Sequence, residues 1–228
     1  NLYASGRHPT FNGLGSIAVR ATPAGAGVWA VGYAGSSLRD DYGYALVVDA
    51  GGNLYRAGAD RHDDNLMRGR LLGHRASDGL IFLNHALEMT NSAVCGLAFD
   101  AAGRLVLGVS HGLRGADHTL GTGAEQSFIR VLDLAGTQVQ ADVPLTGAGL
   151  VLVSDTLRMT NDDLYVGYHW TQNGTTTAGV ARFTGNMPAW TADAAGPGWQ
   201  MAPGGREVKG GDIYIALNST SDARASRI

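Results

Sequence analysis

A short pattern returns five times along this 228-residue chain: a turn residue, alternating apolar positions, then a small residue. It reads Asn1-Leu2-Tyr3-Ala4-Ser5-Gly6, then Asn53-Leu54-Tyr55-Arg56-Ala57-Gly58, then Arg104-Leu105-Val106-Leu107-Gly108. It continues as Asp163-Leu164-Tyr165-Val166-Gly167 and Asp212-Ile213-Tyr214-Ile215-Ala216. The leucine or isoleucine stands at positions 2, 54, 105, 164 and 213, separations of 52, 51, 59 and 49. A steady period with strand-like alternation restricts the chain to a repeat architecture of short strands.

Each later copy follows an apolar strand and a turn, most clearly over residues 44–52 and 97–103. Asp followed by Gly between two apolar runs signals a hairpin, because Asp bonds its own backbone and Gly accepts positive φ. The run Leu150-Val151-Leu152-Val153 and the run Trp199-Gln200-Met201 hold the same place in the later copies, with longer turns. Two more strands follow each motif: 16–20 with 28–31, 66–72 with 80–83, 127–133 with 137–143, and 178–183 with 188–190. Helical periodicity is weak, and only residues 84–89 fit a turn of helix. A four-stranded meander cannot bury both faces alone, whereas sheets packed around an axis cover one another. The expected fold is therefore all-β, a β-propeller of four-stranded antiparallel blades forming one domain over 1–228. About five blades are expected in whole or part, over 1–35, 42–87, 93–143, 150–192 and 198–228. The chain starts at strand two of one blade and stops inside strand three of another. Either Asn1-Leu2-Tyr3 closes the last blade or the chain belongs to a longer one. The second reading is preferred.

Residues 42–58 (YGYALVVDAGGNLYRAG), 94–108 and 128–136 resemble the bacterial β-propeller repeats called SBBP repeats, and the related delta-60 repeats. The fourth copy departs from that pattern, with a long first turn at 154–158. The resemblance implies a propeller in a secreted or cell-surface bacterial protein, and no single activity.

Composition narrows the rest. Glycine is 34 residues and proline 6, without a collagen period, which means many tight turns. The net charge is −3 and the basic residues are scattered, which excludes a phosphate-tracking surface and so a nucleic-acid partner. The one cysteine, Cys95, lies in an apolar run and is read as a small buried hydrophobe. No apolar run reaches the ~18 residues of a membrane span. No signal peptide begins at Asn1.

Loops after the second strand of each blade share one face, and loops on a rigid scaffold carry function. Four copies place a histidine just beyond the motif: His8, His62, His111 and His169, with Asn218 in the fifth. Asp63, Asp117, His118 and Trp170 stand beside them, completing the candidate ligand-binding set. Neutral imidazoles around an axis would suit a transition metal, and residues 60–65 offer carboxylates to calcium. A solvated polar rim accounts for the same residues, and no metal or other cofactor is assigned. Histidines gain charge together near pH 6, so affinity for an acidic partner is expected to rise as pH falls. Nucleophile, zinc and nucleotide motifs are absent. The favoured reading is a binding or structural module for protein or carbohydrate. The alternative is a catalytic propeller, a hydrolase or lyase, with a His/Asp-lined site around Ser110-His111 and Asp117-His118. Trp190 and Trp199 near blade edges keep a carbohydrate face open.

Overall fold

The alternating runs close into five antiparallel sheets taken in chain order. Sheet 1 contains β1 (Leu2–Thr10), β2 (Gly13–Ala21) and β3 (Gly27–Tyr33). Sheet 2 contains β4 (Asp41–Val48), β5 (Leu54–Arg61), β6 (Met67–His74) and β7 (Ile81–Thr90). Sheet 3 contains β8 (Ser92–Phe99), β9 (Leu105–His111), β10 (Gln126–Leu132) and β11 (Val143–Leu145). Sheet 4 contains β12 (Leu150–Thr156), β13 (Asp163–Gln172), β14 (Thr175–Thr184) and β15 (Met187–Asp193). Sheet 5 contains β16 (Trp199–Lys209), β17 (Asp212–Ser219) and β18 (Ser226–Arg227).

The computed structural model describes the backbone of residues 1–10, 13–34, 41–62, 64, 66–112, 126–145, 150–156, 163–172, 175–184, 187–193, 199–209, 212–219 and 226–227. It describes side chains within these spans up to residue 184, apart from 7–14, 41–42, 150–156, 169–172 and 175–176. No helix occurs among the described residues, and so none long and apolar enough to cross a membrane.

The five motif copies are β1, β5, β9, β13 and β17. In sheets 2 to 5 the motif strand is second, paired with the strand before it and the strand after it. The Asp-to-Gly hairpins form as expected. Asp49 accepts from the backbone N–H of Asn53 (2.8 Å), and Asp100 from those of Ala102 and Arg104 (3.0 and 2.8 Å). Gly52 and Gly103 take φ of 83° and 74°, a region that side chains with a Cβ rarely enter.

One irregularity repeats. The strand before the motif bulges between Gly43 and Ala45, between Val94 and Gly96, between Val153 and Asp155, and between Met201 and Arg206. Each bulge lies against the motif's small residue: Ala57, Gly108, Gly167 or Ala216. A bulge sets extra residues against one partner and kinks its strand. A small partner leaves room for that kink, which gives the small position of the repeat a physical reason.

The sheets stack in series. β4 packs on β1 and β2, β8 on β4 to β6, β12 on β8 to β10, and β16 on β12 to β14. Strand residues alternate between faces, so the motif splits into two rows counted from its leucine. The even row faces the preceding sheet. Leu105, Leu107 and Val109 share a cluster with Tyr55 and Ala57 of sheet 2. Leu164, Val166 and Tyr168 share one with Ile129 and Val131 of sheet 3. Leu54 joins Ala18 and Trp29 of sheet 1. Leu54, Leu105 and Leu164 are at most 1% exposed, and each such burial contributes about 2 kcal/mol.

Three expectations change. Residues 84–89 are not helical but lie inside β7, held by pairs such as Leu72↔Asn84 and Leu71↔His85 with β6. The fourth strand of sheet 3 is not 137–143. Leu132↔Gln138 is only an isolated bridge, Arg130 holds Asp142 (Nε–Oδ1 2.9 Å), and strand pairing begins at Val143. Finally, β1 and β13 run through the stretches expected to be loops, so His8, His169 and Trp170 occupy strand positions.

Candidate functional site between sheets 1 and 2

The even row of sheet 2 breaks the apolar rule of its neighbours. Sheet 3 meets sheet 2 with Leu107, Leu132 and Phe128. At the same register positions sheet 2 presents Arg56, His74 and Arg70 to sheet 1. Arg56 is 2% exposed and His74 fully buried. Burying polar groups costs stability unless each is bonded. A local departure from an otherwise consistent repeat marks a place where something other than packing is served.

At the turn end this interface is a staple. Tyr3, Arg20 and Trp29 form one cross-strand row of sheet 1. The Tyr3 hydroxyl donates to the Gly52 carbonyl (2.9 Å). Trp29 Nε1 donates to the Ala76 carbonyl (3.1 Å), which also accepts from Arg20. The Ala76 N–H donates to Asn53 Oδ1 (3.0 Å). His74 stacks on Trp29 with centroids 6.1 Å apart and planes at 20°. Arg56 Nε donates to His74 Nε2 (3.0 Å), so the ring proton sits on Nδ1 and is donated to the Gly79 carbonyl (2.9 Å). Burial pushes the His74 pKa below the ordinary imidazole range, opposed by the Gly79 bond and reinforced by the charge of Arg56. His74 is thus a neutral bridge.

Toward the other end the sheets part into a small cleft lined by Ser16, Tyr33, Gly43, residues 56–60, Arg70 and Leu72. Gly43 lets β1 approach closely, since a Cβ there would stand 3.1 Å from the Ser5 hydroxyl. Arg56 and Arg70 both lie over the Tyr33 ring, 6.0 and 5.8 Å from its centroid. Asp60, 1% exposed, accepts from Arg70 Nε at Oδ2 (3.1 Å) and again from Arg70 NH2. Arg70 NH1 donates to Asn84 Oδ1 (2.9 Å). His62 Nε2 stands 3.3 Å from Asp60 Oδ1, and among the described residues no donor is hydrogen-bonded to that oxygen. The cleft therefore combines two guanidinium groups, a carboxylate with acceptor capacity left, and an aromatic ring.

Of the residues expected from sequence, His62 joins this cluster at its exposed edge, its side chain 23% exposed. His111 ends β9, half-buried, opposite Ser92 and Gln126. By register, His8, Asp60, His111 and Trp170 share one motif position, and His169 falls one residue short of it. Asp63, Asp117 and His118 lie outside the described residues, as do the side chains of His8, His169 and Trp170. Ser110 is no exposed nucleophile: it is fully buried, 3.2 Å from the Ser127 hydroxyl. Of the carboxylates proposed for calcium, Asp60 is engaged by Arg70 and Asp64 by Arg68 (2.6 Å), while Asp63 lies outside the described residues. That Arg68 bond, helped by the Leu66 N–H, lowers the Asp64 pKa below the usual carboxylate range. Among the described residues, no group of three His, Cys, Asp or Glu side chains could hold a metal ion.

Sequence reading missed Tyr33, Arg56, Arg70 and His74. Its signal was present for two of them. Arg56 interrupts the apolar positions of the motif itself, and His74 ends the run Leu71-Leu72-Gly73. No protein-family model matches the chain, and no curated protein matches it.

Proposed function

We propose that this chain is a β-propeller segment of the SBBP type that works as a binding module, with the cleft between sheets 1 and 2 as its ligand site. The observation that carries this reading is the cluster of Arg56, Asp60, Arg70 and Tyr33 at positions the repeat otherwise keeps apolar. Two arginines and one aspartate leave the cleft net positive. Guanidinium groups bind carboxylates through paired N–H donors, Asp60 Oδ1 can accept from a hydroxyl, and an aromatic ring suits a sugar face. An acidic oligosaccharide offers all three complements. The serial stacking of sheets with one repeated face-to-face rule favours the propeller. Binding is favoured over catalysis because Ser110 is buried and the arginines hold both Asp60 and Asp64.

Calorimetric titration with oligogalacturonate tests the proposal. Binding is expected with the native chain, and Arg70→Ala should weaken it about tenfold or more, since charged hydrogen bonds contribute about 1.5–3 kcal/mol. Equal binding by native and Arg70→Ala chains, or no binding by either, would remove the cleft as an acidic-sugar site.

A further inference from the structure

Arg56 belongs to both halves of the interface between sheets 1 and 2. Its Nε donates to His74 Nε2 (3.0 Å) in the staple, and its guanidinium carbon stands 6.0 Å from the Tyr33 ring centroid in the cleft. The His74 ring therefore helps set where the Arg56 side chain points. That role needs the neutral ring. Nδ1–H is donated to the Gly79 carbonyl (2.9 Å), which leaves the Nε2 lone pair for Arg56. A proton on Nε2 would set two donors and two positive charges face to face at a fully buried position. The stacking partner Trp29 of β3 and the strand neighbours Leu54 of β5 and Ile81 of β7 are uncharged. The titratable and charged groups around the ring are Arg56 itself, Arg20 of β2 over the Tyr3 ring of β1, and the turn residues Asp49, Arg75 and Asp78. Both of those carboxylates are engaged elsewhere, Asp49 by Asn53 and Asp78 by Arg75.

We propose that His74 is a positioning residue for the cleft and gives it an acid release: the site holds its acidic ligand while the ring is neutral and lets it go once the ring is protonated. The proposal rests on the reading of the cleft as an acidic-sugar site. Protonation breaks the Arg56–His74 bond and repels the guanidinium from its place over Tyr33, so the cleft loses one of its two cationic arms. Burial sets the release below the ordinary imidazole range, opposed by the Gly79 bond and reinforced by the charge of Arg56. His62 works in the opposite sense, because a charged imidazole beside Asp60 and Arg70 adds attraction for an acid. The two signs separate the two histidines. Linkage supplies a second sign. A ligand that binds only the neutral form must lower the His74 pKa when it binds, whereas its negative charge would raise the pKa of a ring that merely stood nearby.

Calorimetric titration of the 228-residue chain with oligogalacturonate from pH 7.5 down to 5 tests it, with circular dichroism at each pH to separate release from unfolding. Below the His74 pKa, native affinity should fall by about tenfold for each further pH unit, the slope of one linked proton. His74→Gln offers Arg56 an amide oxygen that does not titrate, so it should bind at pH 7.5 and lack that fall. Heteronuclear NMR of the histidine rings in the native chain needs no variant. The His74 pKa should move down when the ligand saturates the site. A native profile that matches His74→Gln, or a His74 pKa that rises or stays put on binding, would overturn the acid release and leave the cleft as a sugar site. No binding by the native chain at pH 7.5 would remove the acidic-sugar reading, and the release with it.

Discussion

Replacing His74 is the sharpest perturbation of the interface between sheets 1 and 2. The ring is fully buried, accepts from Arg56, donates to Gly79 and stacks on Trp29. His74→Ala strands one donor and one acceptor, at about 1–3 kcal/mol each, and opens a void beside Trp29. The expected loss is about 3–5 kcal/mol, a large share of the ~5–15 kcal/mol that domains possess. His74→Phe keeps the ring stack and should cost about 2–4 kcal/mol, from the lost bonds alone. The pH dependence supplies a second reading. The folded pKa of His74 lies below its unfolded value, with burial as the largest cause. Above pH ~6.5 neither state is protonated and nothing is lost. As pH falls below that value the unfolded chain takes up a proton that the folded chain refuses, so stability declines until the folded pKa is reached. Each unit of depression is worth about 1.4 kcal/mol. Urea unfolding followed by tryptophan fluorescence between pH 7.5 and 5 measures both effects. The native chain should lose stability toward pH 5 more steeply than His74→Phe. Part of the slope should remain, because His85 is also held low by burial, by Arg130 and by Arg70, against Glu88. Identical slopes, or a His74→Ala cost below about 1 kcal/mol, would refute the neutral-bridge account.

Further outcomes follow from single positions. Gly79 has φ 74° and a Cβ there would stand 2.8 Å from the Trp29 ring, so Gly79→Ala should lower thermal stability by about 1–3 kcal/mol, read by calorimetry. Asp60→Ala leaves Arg70 without its buried carboxylate and should cost about 3 kcal/mol in urea unfolding. Burial pushes the Cys95 thiol up to about 12, so it should ignore a disulfide reagent in the folded chain and react at once in denaturant.

The repeat, the all-β class and the Asp-to-Gly hairpins were legible because they depend on local chemistry. Alternation dictates strands, and Asp49, Gly52, Asp100 and Gly103 dictate their own turns. What failed depended on tertiary pairing. Residues 84–89 carry a helix-compatible string, yet register with β6 makes them strand. Residues 137–143 alternate like a strand, yet before Val143 they meet β10 only through the Leu132↔Gln138 bridge and the Val139 N–H to Val131 carbonyl bond, short of a ladder. The site was half legible. Of the histidines expected on one face, His8, His62, His111 and His169, His62 stands at the edge of the cleft. The rest of the cleft was not legible, because Tyr33, Arg56 and Arg70 come from three strands of two sheets, and their meeting depends on which face each row presents. The recurring bulge was invisible for the same reason: an extra residue announces itself only against a partner strand.

Methyl NOE spectroscopy on the leucines of the motif tests the packing rule most directly. Leu54 should contact Ala18 and Trp29, Leu105 and Leu107 should contact Tyr55 and Ala57, and Leu164 and Val166 should contact Ile129 and Val131. Each motif leucine would thus report only the sheet before it. Leu105 contacts to sheet 4, or Leu164 contacts to sheet 5 in their place, would contradict the rule and everything built on it.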